Sequence, residues 1–295
     1  MSDTLLITGA SGHLGRRVLE LLVEQKPKAK IVAVTRTPQK LAEFAKQGIE
    51  VRQGSFDDEA SMKTAFAGAT RALLISTDAL DRPRGEQHAR GIAALQAAGV
   101  KHVIYTSVVD PKNTVMGVGP DHAFTEKALE ASTMSFTSLR NSLYADLLLQ
   151  ALPSAVKSGQ WITSRGDAKA AFVTREDCAR AAAAALTATS TEREYIDITG
   201  PEAIDSNAIA AIASELSGKK IAHVSVPVDA LIDGLVTHAK LPRPIAAFLA
   251  TFDQAIGKGE LSKPSDGLKR LTGRSAQTIR EFLTANRVQW SGGAS

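Results

Sequence analysis

Residues 5–15 read LLITGASGHLG, and the run IVAVTR follows at 31–36. The first stretch is typical of a buried strand, a glycine-rich turn and the start of an amphipathic helix. In that setting the glycines let the backbone approach a pyrophosphate, and the N–H groups at the helix start bind it. The spacing is GxxGxxG rather than GxGxxG, but the strand before it and the helix after it are the context that such a motif requires. We therefore expect dinucleotide contacts from Gly9, Ala10, Ser11, Gly12, His13, Leu14 and Gly15.

The end of the second predicted strand indicates which dinucleotide is bound. Sites for NAD usually carry an acidic residue there, which binds the adenosine ribose. Here Arg36 takes that position, and an arginine suits a 2′-phosphate. Lys40 and Arg16 would add positive charge near the same phosphate, while a plain surface role for Arg36 is the alternative. The sequence therefore predicts NADPH as the cofactor.

Composition excludes several other classes of protein. The chain has 295 residues, 44% of them hydrophobic, and a net charge of +4. No run approaches the roughly 18 apolar residues that a membrane span needs. Basic residues are spread along the chain, which argues against nucleic acid, and the six histidines show no metal-binding spacing. Cys178 is the only cysteine, and no secretory signal pattern begins the chain, so we expect a cytoplasmic protein. We expect it to be a monomer or a homodimer.

Strand and helix patterns alternate through the first half of the chain. The predicted strands lie at 5–8, 31–35, 49–53, 71–76, 100–107 and 136–140, and the predicted helices at 16–25, 38–47, 59–66, 87–98 and 124–131. Such alternation indicates a parallel, doubly wound α/β sheet of the Rossmann type.

The second half of the chain changes character. We assign residues 1–155 to the dinucleotide-binding domain, with segments near 172–200 returning to it. Residues 156–290 are predicted to form a smaller α/β lobe on the substrate side, and 291–295 a disordered tail.

Ligands of an open parallel sheet bind beyond the carboxyl ends of its strands. Small polar residues recur at these ends, and Ser76, Thr77 and Ser107 are candidates for the cofactor site. Phe56 and Asp57 are placed to meet the adenine ring and its amino group. The alternative is that these are ordinary polar residues at strand ends.

Many short-chain dehydrogenases protonate a carbonyl oxygen with a tyrosine whose pKa is lowered by a lysine four residues later. None of the three tyrosines, Tyr105, Tyr144 and Tyr195, has that lysine. Lys127 is present with Ala123 at the tyrosine position, and it can hold the nicotinamide ribose or simply be exposed. His122 is a further candidate proton donor, with a satisfied or exposed histidine as the alternative. A missing acid favours acceptors whose reduced form is stable, such as quinones or cationic conjugated dyes.

The chain resembles the NmrA-like, atypical short-chain dehydrogenase/reductase family, and within it the flavin-free NADPH:quinone oxidoreductases and triphenylmethane dye reductases. The resemblance covers nearly the whole chain and rests on ITGASGHLG (7–15), IVAVTR (31–36), AGVKHVIYTS (98–107), HAFTEK (122–127), LRNSLY (139–144), VTRED (173–177) and GKGELS (257–262). It implies NADPH in the Rossmann domain and a cleft for a planar acceptor. Asn141 would lie nearest the reacting ring, and Tyr144 would form a wall of the acceptor site, with core packing after the strand as the alternative. Lys127, Asn141 and Tyr144 are therefore the catalytic candidates, and Lys127 and Asn141 would also contact the cofactor.

One segment departs from that pattern. Residues 78–85 (DALDRPRG) are strongly charged, and we expect them to rim the cofactor groove.

The leading prediction is an NADPH-dependent oxidoreductase that transfers hydride directly to a quinone-like acceptor. Two alternatives stay open: a non-catalytic redox sensor that binds the dinucleotide, and a reductase of a dye or phenylpropanoid substrate.

Overall fold

The computed structural model describes residues 3–77 and 83–292. Strands and helices alternate in its first half. The strands are β1 (Thr4–Ile7), β2 (Lys30–Thr35), β3 (Glu50–Gln53), β4 (Arg71–Leu74), β5 (His102–Val108), β6 (Ser135–Asn141), β7 (Gln160–Thr163), β8 (Lys169–Ala170), β9 (Arg193–Ile198), β10 (Ile204–Asp205) and β11 (Ala222–Ser225). The helices are α1 (His13–Gln25), α2 (Ala42–Ala45), α3 (Glu59–Phe66), α4 (Arg84–Ala97), α5 (Gly119–Ala131), α6 (Leu148–Ser158), α7 (Arg175–Thr187), α8 (Ser206–Ser217), α9 (Val228–His238), α10 (Arg243–Gly257), α11 (Gly267–Thr272), α12 (Ile279–Ala285) and α13 (Arg287–Trp290).

The central sheet is parallel and, within the described ranges, seven-stranded, in the order β3-β2-β1-β4-β5-β6-β9. The chain first winds from β1 outward to β3 and then builds the other half from β4 onward. The direction of winding reverses between β1 and β4, and an open sheet binds its ligands beyond the carboxyl ends of the strands at that point. The predicted doubly wound α/β fold is confirmed.

Alternate residues of the strands enter two hydrophobic cores on opposite faces of the sheet. Leu5 and Ile7 pack with α1 and α7 on one face. Leu6 packs with Phe66 of α3 and Leu95 of α4 on the other. This sandwich holds the carboxyl ends of the strands in fixed register, and those ends carry the candidate site.

The second half of the chain forms its own core from α6, α8, α10 and α12. The two-stranded pairs β7–β11 and β8–β10 belong to this part of the fold. Trp161 and Trp290, the only tryptophans of the chain, are both buried in this second core. Helices α9 and α10 pack against each other through a smaller cluster around Ile232 and Ala246.

The chain returns to the central sheet twice after β6. The first return is α7 and β9, the latter pairing with β6. The second is α11, whose Leu268 packs in the core shared by α1 and α7. Gly267 fits there because a Cβ atom at this position would lie 2.2 Å from the carbonyl oxygen of Asp197. The second return lies inside the range 156–290 that the sequence assigns to the lobe.

The carboxyl end of the described chain is folded as far as Ser291. This residue is buried, and its amide donates to the carbonyl of Arg287. Of the predicted disordered tail, residues 293–295 lie outside the described residues. None of the helices in the described ranges is long and apolar enough to cross a membrane.

Candidate functional site

A cavity of about 770 Å³ opens over the carboxyl ends of the central strands. Twelve of the predicted site residues line it: Gly9, Ser11, Gly12, His13, Leu14, Gly15, Arg36, Phe56, Asp57, Ser76, Thr77 and Tyr144. The structure does not place Ala10, Ser107, Lys127 or Asn141 among the described lining residues. Arg84, from the charged segment 78–85 that we expect to rim the groove, also lines it, as do Gln87 and Arg175, which sequence reasoning missed.

The glycine turn brings the start of α1 to the cavity. Gly9 adopts a φ of +60°, a conformation that favours glycine, and the amide of Gly12 donates to its carbonyl over 3.0 Å. Gly12 is the N-cap of α1, with no side-chain capping bond and no acidic residue in the first turn. The positive end of the α1 dipole therefore faces the cavity, and no acidic residue in the first turn of α1 neutralises it.

Gly15 has a packing role that the pattern alone does not reveal. A Cβ atom on Gly15 would lie 2.4 Å from the carbonyl oxygen of Gly9 and 2.8 Å from Cα of Ala10. The third glycine thus lets α1 press against the turn, and this contact holds the turn close to the helix axis.

Two exposed cations border the cavity at the end of β2. Arg36 and Lys40 both line it. Ser11 and Thr35 join the turn to this strand end through a hydrogen bond of 2.7 Å between their hydroxyls. Arg16 does not join them: its guanidinium forms an ion pair with Glu43 and lies over the ring of Phe44. The predicted contribution of Arg16 to a phosphate site is therefore not supported, because its charge is already paired.

Phe56 and Asp57 line the cavity beyond β3. The carboxylate of Asp57 accepts a hydrogen bond of 2.8 Å from Nε2 of Gln87, so it is partly engaged by α4. Phe56 packs beside Gly91, where a Cβ atom would lie 2.7 Å from the ring. The adenine contact predicted for these two residues stays a prediction.

Tyr144 and Arg175 close the opposite end of the cavity. The guanidinium of Arg175 lies 5.3 Å from the centre of the Tyr144 ring, and Asp146 holds it with a contact of 3.1 Å. Burial raises the pKa of Tyr144, so its hydroxyl stays protonated at neutral pH.

Asn141 is buried at the end of β6, next to Tyr144. Its amide Nδ2 faces the Tyr144 hydroxyl at 3.5 Å, and within the described residues its Oδ1 atom is buried without a partner. An unpaired buried carbonyl is costly, which is an argument that a ligand completes this position.

Near the end of α5, the structure shows the second alternative for Lys127, an exposed lysine. The preceding residue, Glu126, is fully buried. The carboxylate of Glu126 accepts hydrogen bonds from Ser107, Ser138 and Arg140. The Ser107 hydroxyl therefore points to a structural carboxylate. The geometry does not support the predicted cofactor contacts of Ser107 and Lys127.

A buried polar layer lies between α4, α5 and β5. The hydroxyl of Tyr105 and Nδ1 of His122 are 2.7 Å apart, and both residues are buried. Burial lowers the pKa of His122 well below its usual range and raises that of Tyr105. His122 does not line the cavity, so the structure does not support it as a proton donor to a substrate there.

No group of three or more His, Cys, Asp or Glu side chains in residues 3–77 and 83–292 is arranged to hold a metal ion.

Of the predicted charged rim at 78–85, residues 78–82 lie outside the described residues. Arg84 and Gly85 form the first turn of α4, and Arg84 lines the cavity.

The sequence and the fold are similar to those of known proteins. The model of the NmrA-like family matches residues 1–284. Quinone oxidoreductase 2 of Escherichia coli strain K12 is 35% identical over 280 residues, which cover 95% of this chain and 97% of that protein. Its structure in complex with NADPH superposes with a TM-score of 0.91, covering 95% of this chain and 99% of that one.

A second solved structure is similar to the same degree. The triphenylmethane reductase of Citrobacter sp., complexed with NADP(H), is 34% identical with a TM-score of 0.90, and the match covers 95% of this chain and 99% of that one. The family match and these relatives each extend over nearly the whole chain, the second core included. The chain belongs to the NmrA-like family.

Proposed function

We propose that this protein is an NADPH-dependent oxidoreductase that transfers hydride directly to a quinone-like conjugated acceptor. One observation carries the proposal: a single cavity connects the uncapped start of α1, the cations Arg36 and Lys40, and Tyr144 at its far end. The relatives named for quinone and triphenylmethane reduction support the class of acceptor.

The residues present fit the cofactor. The amides at the start of α1 suit a pyrophosphate, and Arg36 with Lys40 suits a 2′-phosphate. Asn141 is not among the described lining residues, but it lies next to Tyr144, which is, and its unpaired carbonyl oxygen would suit the amide of a nicotinamide. When bound, NADPH would supply the hydride.

The protein's own part is to bind, to orient and to exclude water. Tyr144 remains neutral and packs under Arg175, so it offers a flat wall for a planar acceptor. His122 and Tyr105 are buried away from the cavity and cannot deliver a proton there. Such a site favours acceptors whose reduced form needs no strong acid, because orientation and proximity then supply most of the rate.

The test is a panel of acceptors offered to the purified protein with NADPH. We expect NADPH oxidation with a simple quinone or a cationic triphenylmethane dye, and none with an aliphatic ketone. Turnover of the ketone alone would contradict the proposal. Tight NADPH binding without any turnover would instead favour the redox sensor, and turnover of a phenylpropanoid alone would favour that substrate class.

We further infer a cytoplasmic protein that is a monomer or homodimer. Its single cysteine, Cys178, is free and buried, which suits a reducing compartment. Light scattering during size-exclusion chromatography distinguishes the two assembly states.

A further inference from the structure

Three side chains of α4 hold one residue of the cavity wall, Thr77. His88 Nε2 accepts a hydrogen bond of 2.9 Å from the Thr77 amide, and Gln87 Oε1 one of 3.1 Å from the Thr77 hydroxyl. Arg84 Nη1 donates over 3.1 Å to the Thr77 carbonyl. We refer to Arg84, Gln87 and His88 as the α4 clamp. Their spacing of three and four residues puts them on one face of the helix.

Thr77 needs such support because it lies beyond the end of β4. The strand ends at Leu74, so the sheet ladder does not hold the amide and carbonyl of Thr77. Thr77 nevertheless lines the cavity. The position of this part of the wall is therefore set by side chains of α4 rather than by the sheet.

The hydrogen bonds around His88 admit one tautomer. A backbone amide can only donate, so Nε2 carries no proton and Nδ1 carries it. Nδ1 then donates over 2.8 Å to the Thr125 hydroxyl, which itself donates over 2.7 Å to the carbonyl of Asp121. His88 is thus an acceptor toward the cavity wall and a donor toward α5.

The surroundings of His88 keep its ring neutral. Burial, together with the charge of Arg84, lowers the pKa of His88 to about 4, against a smaller opposing effect of Asp121. Within the described residues, the other titratable groups facing it are Tyr105, whose hydroxyl is 3.5 Å from Nδ1, and His122, whose ring centre is 6.5 Å away. A neutral ring is required for Nε2 to accept the Thr77 amide.

The clamp also connects the wall to both neighbouring elements. Nε2 of Gln87 donates to Asp57 beyond β3 over 2.8 Å. Nε of Arg84 and the amide of Gly85 both donate to the carboxylate of Asp121 on α5, over 3.2 Å and 3.0 Å. Asp57, Thr77 and Arg84, which all line the cavity, are therefore fixed relative to one another by α4.

We propose that His88 is a positioning residue for the dinucleotide: through the α4 clamp it fixes the Thr77 wall in the geometry that the cofactor needs, without lining the cavity itself. The inference rests on the proposed NADPH site. If the wall is misplaced, it must rearrange before it can contact the dinucleotide. The free energy of that rearrangement weakens binding.

Two substitutions separate positioning from simple stability. His88→Gln can place its Oε1 near the position of Nε2 and keep an acceptor for the Thr77 amide. His88→Asn is shorter, can reach Thr125, and leaves the Thr77 amide unpaired. We expect similar melting temperatures for the two variants without ligand. The Kd for NADPH, measured by titration calorimetry, should rise about tenfold in His88→Asn and at most about threefold in His88→Gln.

His102 provides the matched control. It is another buried histidine, at the start of β5 and thus at the end of the strand opposite the cavity. It is bonded to Ser135 over 2.8 Å and to Thr137 over 3.0 Å. His102→Asn should lower the melting temperature and leave the Kd for NADPH unchanged.

The outcomes are distinguishable. Equal Kd values for NADPH in His88→Asn and His88→Gln would overturn the positioning role while leaving the NADPH site intact. The same holds if His102→Asn raises the Kd for NADPH in proportion to the fall in its melting temperature. A wild-type protein that binds no NADPH would overturn the proposed function, and with it this inference. Nitrogen-15 spectra of the histidines in the free wild-type protein should show His88 protonated at Nδ1; a proton on Nε2 would overturn the clamp whatever the variants do.

Discussion

Arg36 is the residue on which the choice between the two dinucleotides depends. It is exposed at the end of β2 and lines the cavity beside Lys40. Charged donors bind a phosphate strongly when that phosphate occupies a fixed position, and the Ser11–Thr35 hydrogen bond fixes the neighbouring turn. Discrimination should therefore come from a single side chain with modest help from Lys40.

Arg36→Asp should reverse the preference for NADPH. The substitution removes the donor and adds a carboxylate that repels the 2′-phosphate but can accept from a free ribose. We expect the NADPH Kd to rise about 10- to 100-fold, with NADH changing far less. Arg16→Ala is the control, since the guanidinium of Arg16 pairs with Glu43 and should not alter the ratio. Equal losses for both dinucleotides would refute the assignment.

Glu126 and Lys127 are adjacent in sequence and opposite in environment. Glu126 is buried, and its carboxylate lies 2.7 Å from the guanidinium of Arg140, whose side chain is 21% exposed. Lys127 is exposed. Glu126→Gln should lower the free energy of unfolding by about 3 kcal/mol, because Arg140 loses its charge partner. Lys127→Met should change it by less than about 0.5 kcal/mol. Urea unfolding measures both, and a stable Lys127→Met variant that has lost turnover would restore the catalytic role expected from the sequence.

At the scale of the element, α1 combines two glycines with different tasks. Gly12 caps the helix with a φ of −77°, which any residue adopts, and a Cβ atom there would lie a tight 3.3 Å from the Gly9 carbonyl oxygen. At Gly15 that distance would be only 2.4 Å, so Gly15 has no room for a Cβ atom. The glycine pattern predicts the turn correctly, but a pattern cannot say which glycine serves packing and which serves access. That distinction needs the three-dimensional contact of α1 with Gly9.

Substitutions at these two positions should separate folding from binding. Gly15→Ala normally favours a helix by up to about 1 kcal/mol, but here the methyl group would overlap the Gly9 carbonyl, so we expect a lower melting temperature. Gly12→Val should fold and lose NADPH, because its branched side chain enters the cavity. Thermal unfolding and NADPH titration measure the two effects. A Gly15→Ala variant as stable as wild type would contradict the packing role.

Element boundaries show where sequence reasoning was adequate and where it was not. The central strands β1, β2, β4 and β5 were predictable because each contains an apolar run between turn signals. The starts of α4 and α5 were predicted too late, at 87 and 124 rather than Arg84 and Gly119. Both first turns carry polar residues that face inward to one another, as the Arg84–Asp121 pair does, so they lack the apolar spacing that signals a helix.

The lack of an apolar pattern also explains which residues near the site could not be predicted. The residues that line the strand ends were predictable from topology, and Arg84 from the charge of segment 78–85, but the roles of Gln87 and His88 were not, because nothing in a polar segment says which helix face is buried. Their spacing of three and four residues from Arg84 was the available signal. Ser107 shows the converse failure: it occupies a strand end, yet its hydroxyl serves Glu126.

At the scale of the whole molecule, buried histidines link stability to pH. Burial lowers the pKa of His88 and of His102 to about 4, and that of His122 well below its usual range. The folded protein therefore binds fewer protons than the unfolded chain between about pH 4 and 6.5. Their contribution to stability is present above the unfolded pKa and is lost as the pH falls through this window.

The free energy of unfolding should accordingly decrease as the pH is lowered from about 7 to about 4. Each histidine can contribute a slope of up to about 1.4 kcal/mol per pH unit. Urea unfolding at several pH values gives the slope, and His102→Asn should reduce it because one buried imidazole is removed. A free energy that stays constant across the window would show that these rings are already protonated in the folded state.

Bound cofactor should stabilise the whole chain, since the cavity draws its walls from β1 through β6. NADPH at about 100 times its Kd should add about 2.7 kcal/mol to the free energy of unfolding. Differential scanning calorimetry with and without NADPH tests this, with NADH as the comparison. No increase in melting temperature would mean that the dinucleotide does not select the folded state.

Because Trp161 and Trp290 both lie in the second core, two spectroscopic signals can follow the two halves of the fold during unfolding. Indole fluorescence can arise only from these two side chains, and both belong to the second core. Circular dichroism of the backbone, in contrast, weighs the central sheet and its helices as well. When denaturation is followed by both signals, coincident curves mean that the two cores melt as one cooperative unit, and an early change in fluorescence means that the second core opens while the nucleotide half is still folded.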